Sequence, residues 1–255
     1  IRSMLHVNDR LRADRYVAIA DASGEAYDEM SPVDQTFARM LVTQIWANQS
    51  GTIPPSSFDA ALDVIRNCPS FGSELAEVFA YRLDQSRITP EPAPGPGDGV
   101  LFTHADYSTA ELTAALRTAP LEKLLHLPRE GVYYVKESDV DLFFVTLVKD
   151  EADFSETTRY ADFPISRDLF QWESQSTTKL SSRDGQRYIH HQENGHSIYL
   201  CVRNARENAA GVAAAFTLLG DVTHVRHSGE KPIRFEWHLN RPMPAQLYEQ
   251  GRAAI

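Results

Sequence analysis

The sequence predicts an α+β fold: a helical N-terminal region followed by a mostly antiparallel β-rich domain. Three observations carry that expectation. Apolar residues keep a helical period through the first 90 positions, six of the nine residues of EPAPGPGDG (91–99) are Pro or Gly, and from residue 131 short β-rich runs alternate with turn signals. The expected division is 1–90 for a helical connector, 91–99 for a linker and 100–255 for the β-rich domain.

The elements follow in order. In LHVNDRLRADRYVAIADA the apolar positions Leu5, Val7, Leu11, Tyr16, Val17 and Ile19 recur at an imperfect helical spacing. SPVDQTFARMLVTQIWANQSG is clearer, because Ser31 can cap, Pro32 suits the first helical position, Asp34 favours the first turn and Gly51 follows the end. FDAALDVIRN and FGSELAEVFAYRL predict two shorter helices, and the Pro/Gly run then reads as an extended linker that joins neither neighbour's core. In YSTAELTAALR, Ser108 stands three residues before Glu111, the capping-box arrangement of a helix start. GVYYVKE and DLFFVTLVKD, joined by the polar SDV, predict a hairpin. RYIHH, SIYLCVR, AAFTLLG and IRFEWHL predict further strands, separated by turns at NG (194–195), GD (220–221) and SGEKP (228–232). Strands this closely spaced predict an antiparallel sheet or barrel.

At 255 residues and 42% apolar, the chain can bury one good core or two modest ones. No apolar run approaches the roughly 20 residues that cross a bilayer, so no membrane partner is expected. The chain starts at Ile1 without an initiator Met or a signal-peptide pattern, which predicts a piece of a longer protein. Cys68 and Cys201 lie far apart in apolar runs and predict buried free thiols and a cytoplasmic location. The net charge of -10 argues against a polyanionic partner, but it is uneven: residues 1–155 hold 13 Lys+Arg against 24 Asp+Glu, and residues 156–255 hold 12 against 11. Six of the nine histidines also fall in the second part, so a surface for nucleic acid belongs there.

Catalytic signatures are scarce. HHQENGH (190–196) gathers His190, His191 and His196 around Glu193, but no Cys pair accompanies them and they lack the i, i+4 spacing of a helical zinc site. A hairpin tip explains them better than a metal-dependent nuclease does. The sequence has no GxSxG elbow, no GxxxxGK[ST] loop and no GxGxxG after a strand. Asp139 and Asp141 near a turn could do acid/base or magnesium work, although charged turn residues are more often simply solvated. The expectation is a chain with no catalytic residue, metal or cofactor of its own.

One polar cluster remains. FQWESQSTT (170–178) and GQRYIHH (185–191) supply Ser, Thr, Gln, Arg and His groups of the kinds used on phosphates and base edges, with Trp172 and Tyr188 as flat faces on which a base could stack. The competing reading makes Phe170 and Trp172 core residues of a strand and lets the hydroxyls satisfy one another.

The run from REGVYYVKESDVDLFFVTLVKD through FQWESQSTT and GQRYIHHQENGHSIYLCVR to AFTLLGDVTHVRHSGEKPIRFEWHLNRPMPAQL resembles a bacterial family of domains of unknown function, number 3427, over about residues 105–248. LHVNDRLRADRY also resembles the helical segment that follows the helicase core in such proteins. The resemblance implies a C-terminal domain behind a phospholipase D-type nuclease and a superfamily 2 helicase, as in SauUSI-like type IV restriction enzymes of antiviral defence. It implies a PUA/SRA-like pseudo-barrel that binds double-stranded DNA, methylated in some members, and that reads a modified cytosine by flipping it out of the stack. On that basis Trp172, Gln175, Ser176, Thr177 and Thr178 are expected to contact base or backbone, and Arg187, Tyr188 and His190 to contact phosphate or stack. The rival expectation is a regulatory or dimerisation module that docks on the helicase or on a second copy of the chain without touching DNA.

Overall fold

The computed structural model describes residues 4–21, 23–47, 53–128, 131–148, 162–207 and 211–253, and divides the chain into two compact units. The first unit comprises 1–93 and 97–129, the second 94–96 and 130–255. Residues 100–129 therefore belong with the helices and not with the β-rich part, which moves the expected boundary.

In the first unit, α1 (Arg10–Ala20) is capped by Asp9, whose carboxylate accepts the Arg12 N–H. Helix α2 (Pro32–Trp46) begins as the sequence predicts, with Ser31 accepting the Asp34 N–H and Pro at the N-terminus. The predicted stop at Gly51 lies outside the described residues. Ser57 caps α3 (Phe58–Arg66), and α4 (Phe71–Gln85) completes the predicted set. Strands β1 (Glu91–Pro92) and β2 (Phe102–Thr103) pair antiparallel. After β3 (Asp106–Tyr107) comes α5 (Thr109–Leu116), with both bonds of the Ser108–Glu111 capping box, and then the short α6 (Leu121–Leu124). Tyr16 packs against Phe37 and Phe79 in the core of this unit.

The Pro/Gly segment departs from expectation. Residues 91–92 are strand, Ala93 is buried, and the Tyr199 hydroxyl lies between the carbonyls of Pro94 (3.0 Å) and Pro96 (2.5 Å). A buried tyrosine that takes both carbonyls fixes this stretch, so it is not a free linker.

The second unit contains β4 (Val132–Val135), β5 (Val140–Thr146), β6 (Phe163–Pro164), β7 (Leu169–Glu173), α7 (Arg183–Ile189), β8 (Ser197–Arg203), β9 (Phe216–Ser228), β10 (Arg234–Leu239) and α8 (Ala245–Ala253). The strands follow the order β4-β5-β8-β9-β10-β7-β6, antiparallel except for the parallel β5–β8 pair. The fold class is thus α+β, as predicted. No pairing among the described residues joins β4 to β6, so the barrel is not closed. The sheet instead curls over one core: Phe143 of β5 stacks on Trp172 of β7 at 4.0 Å, with Phe170, Tyr188, Phe235 and Trp237 in the same cluster.

Two predicted features are replaced. RYIHH is not a strand, because Arg187–Ile189 end helix α7, whose cap is Ser182 accepting the Gly185 N–H. Gly185 is required there, since a Cβ would meet the Lys179 carbonyl oxygen at 2.2 Å. GD at 220–221 is not a turn but the interior of β9. Gly220 adopts φ +90 where the register to β8 shifts between Leu200 and Cys201, so the glycine serves a β-bulge.

Candidate nucleic-acid interface

Strand β7 pairs Trp172 with Phe235 and Glu173 with Arg234, and this register turns Phe170 and Trp172 inward. Trp172 is 3% exposed; Phe143 covers one face, and Tyr188 meets it edge-on at 5.7 Å. Both aromatics proposed as stacking platforms are therefore core residues. The competing strand reading of Trp172 is the one the packing supports.

Beyond Glu173 the chain leaves the sheet. Ser174, fully buried, exchanges two bonds with Ile233: its N–H donates to the Ile233 carbonyl and its hydroxyl accepts the Ile233 N–H, each at 2.9 Å. The Thr178 N–H donates to the Gln175 carbonyl at 2.9 Å and Thr178 is buried, while Gln175 is half-buried. Ser176 and Thr177 are exposed. The Leu180 N–H donates to the Glu230 carboxylate at 3.2 Å, so this loop lies against the β9–β10 turn. Lys179 and Lys231 flank this contact in the chain and Arg183 opens α7; all three are exposed and make no ion pair among the described residues. The neighbouring arginines differ, since Arg234 pairs with Glu173 (3.1 Å) and Arg226 with Glu236 (2.6 Å).

Arg187 does not reach this rim as a free cation. Its Nε and Nη2 donate to Asp141 at 2.6 and 3.0 Å, Nη1 donates to Asp184 at 2.7 Å, and its guanidinium lies 4.3 Å from the Tyr134 ring. Burial opposes its charge, but Asp141 outweighs burial and the pKa is raised. His196 faces the same carboxylate: Nε2 is 2.8 Å from Asp141 Oδ2 and Nδ1 is 3.1 Å from Asp139 Oδ1. Two hydrogen bonds to two carboxylates need a proton on each ring nitrogen, so this is an imidazolium. Burial again opposes the charge, and the two aspartates prevail to raise the pKa. The Tyr134 hydroxyl donates to Asp139 at 2.8 Å, which lowers the pKa of that carboxyl. Asp139 and Asp141 are thus parts of an ion network.

The histidines fall into separate roles. His190, half-exposed at the end of α7, bonds Glu193 at 2.9 Å. His191 is buried and accepts the His224 N–H at Nε2 (3.2 Å), which leaves Nδ1 to donate to the His196 carbonyl. Burial lowers its pKa, consistent with a neutral ring. His224 and His227 bond each other at 3.1 Å. Among the described residues no group of three or more His, Cys, Asp or Glu is placed to hold a metal, and no helix is long and apolar enough to cross a membrane.

Of the residues expected at a DNA site, Ser176 and Thr177 are outward, Gln175 is partly so, and Trp172, Thr178, Arg187 and Tyr188 serve the interior. Sequence reasoning missed Lys179, Arg183 and Lys231. Their only signal was position in turn-rich segments flanking the strands.

Residues 101–250, more than half of the chain, match the family Domain of unknown function (DUF3427). No curated protein matches the chain.

Proposed function

We propose that this chain, which belongs to the DUF3427 family, binds double-stranded DNA as the target-recognition part of an ATP-dependent helicase–nuclease of the type IV restriction kind, with the rim at Ser176–Arg183 and Lys231 as its contact surface. The observation that carries the reading is the rim itself: three exposed cations that make no ion pair among the described residues, near the exposed Ser176 and Thr177, on the part of the chain where acidic residues no longer dominate. Lys and Arg neutralise phosphates, and Ser and Thr hydroxyls bond phosphate oxygens or base edges. Three cations make a weak site alone, and attachment to a DNA-translocating partner would raise the effective concentration of the reader.

The test avoids Trp172 and Arg187, whose loss would report unfolding. Lys179→Ala, Arg183→Ala and Lys231→Ala are combined, and affinity for a short duplex is followed by fluorescence anisotropy across a salt series. The triple variant is expected to bind at least tenfold more weakly, with a salt slope reduced by about 3, while its thermal melt is unchanged. Unaltered affinity and slope would remove the rim from consideration. Matched duplexes that are unmodified or carry 5-methylcytosine, 5-hydroxymethylcytosine or phosphorothioate then test the modification.

A second reading, docking on a protein partner, is favoured by one observation: Val64 on α3 and Tyr81 on α4 expose large apolar side chains. Light scattering separates the two readings, because a stable dimer indifferent to DNA and salt supports docking.

A further inference from the structure

Arg203 ends β8 opposite Thr146 of β5, half-buried, with its guanidinium over the residue that begins β9. Its Nε donates to the Thr146 hydroxyl at 2.9 Å, Nη1 donates to the Ala214 carbonyl at 3.2 Å, and the group lies 4.3 Å from the Phe216 ring. A guanidinium carries five N–H donors; two are used here, and both on Nη2 are left. Nη2 makes no bond among the described residues and still reaches solvent. No carboxylate pairs with Arg203 among the described residues either. Other buried arginines are compensated. Arg12 meets Asp9 and Glu111, and Arg187 meets Asp141 and Asp184. Arg39 has no carboxylate among the described residues, but each of its three nitrogens donates, to the Ala114 carbonyl and the Tyr27 and Thr36 hydroxyls. Burial without a counter-charge disfavours the Arg203 cation, and Arg206 adds a like charge, so the pKa is pushed down to about 10. The group is still charged at neutral pH.

We infer that Arg203 is an anion subsite and that its occupant is a phosphate group bonded by Nη2. A cation held in one orientation, with donors facing water and no acid beside it, lacks only the anion. The fork of a guanidinium matches two oxygens of a phosphate or a carboxylate. Carboxylates are what this chain has in excess, 35 Asp+Glu against 25 Lys+Arg, and among the described residues it places none here. A phosphate group is the partner the chain cannot supply itself. Its source is either the backbone of a nucleic acid or a free or terminal phosphate. The site is separate from the rim, because Phe216 begins β9 while Lys231 follows its other end at Ser228.

The test uses the whole chain, labelled with nitrogen-15, and inorganic phosphate that replaces chloride at constant ionic strength. The Arg203 side-chain Nε–H resonance and the backbone amides of Arg203 and Phe216 are followed. The expected result is a saturable shift of these resonances, with affinity about tenfold weaker in Arg203→Gln. Arg203→Lys keeps the charge without the fork and is expected to fall between the two. No saturable shift in the unaltered chain, or equal affinity in all three proteins, would overturn the inference. If a variant fails to fold, the Nε–H signal of the unaltered chain decides alone, since it either moves saturably or does not. A short duplex without terminal phosphates then assigns the source: a matching shift names the nucleic-acid backbone, and no shift names free or terminal phosphate. The Lys179, Arg183 and Lys231 triple variant is expected to keep the phosphate response, so failure of the rim and failure of this site are read separately.

Discussion

The helical unit and the β-rich unit each build a cluster of arginine, carboxylate, histidine and tyrosine, and the two clusters differ in how far water reaches them. In the first, Arg12 and Glu111 are fully buried and lie 3.1 Å apart, with Asp9 at 2.9 Å from the guanidinium and His6 on the other oxygen of Glu111. Tyr16 and the Ser108 N–H also donate to Glu111, at 2.8 and 2.9 Å. In the second, Asp141 is fully buried and His196 nearly so, but Arg187 is 14% exposed, and both Asp139 and Asp184 reach solvent at 56%. Burial pushes the Glu111 pKa up, yet His6 and Arg12 more than offset it and hold the carboxyl at about 2. A cluster whose charged centre is fully buried, with His6 alone partly exposed at 13%, ties α1 to α5 and gives a stranded charge little access to water. One with a wet edge can trade a lost partner for water.

The largest expected effect follows from the more deeply buried cluster. Arg12→Ala leaves Glu111 charged in the interior, and breaking a buried pair in that way costs about 3–5 kcal/mol. The readout is hydrogen exchange of the helical unit's amides in denaturant, since two units need not unfold together. Arg12→Met combined with Glu111→Leu is expected to recover only part of the loss, because it removes the stranded Glu111 but still leaves buried Asp9 without the guanidinium. Arg187→Ala is expected to cost less, about 1.5–3 kcal/mol, because Asp141 keeps the His196 bond and water can enter beside Asp184. Equal losses for the two arginines would show that solvent access does not distinguish the clusters.

Local features were legible in the sequence, and features set by tertiary contact were not. The caps at Ser31 and Ser108 and the β4–β5 hairpin depend on neighbours within a few residues, and all three form as read. Helix α7 was hidden because RYIHH has strand-like composition, while its geometry depends on Gly185 passing the Lys179 carbonyl. Pro94–Pro96 looked like free linker because nothing local predicts a tyrosine 103 residues on that bonds Pro96. At the candidate site, alternation already offered Phe170 and Trp172 as core residues, against a base-platform reading of Trp172 that residue chemistry allowed and the resemblance favoured. That Lys179, Arg183 and Lys231 make no ion pair among the described residues is a fact about their surroundings, which spacing cannot carry.

The smallest effect is the one that separates the clusters by sign of pH dependence. Glu111 has a folded pKa below its unfolded value, so its contribution is present above about pH 4.3 and is lost as pH falls through about 2. His196 has a folded pKa above its unfolded value, so its contribution is full below about pH 6.5 and is lost as pH rises through the folded value. The β-rich unit should therefore weaken from neutral to mildly alkaline pH, by less than either arginine loss. In His196→Gln the alkaline decline should flatten, because a neutral amide neither titrates there nor bonds both aspartates as an imidazolium does. Exchange protection of β5 and β8 amides at pH 6 and pH 9, in the parent and in His196→Gln, gives the answer. An equal decline in both proteins would mean that another group sets the alkaline limit.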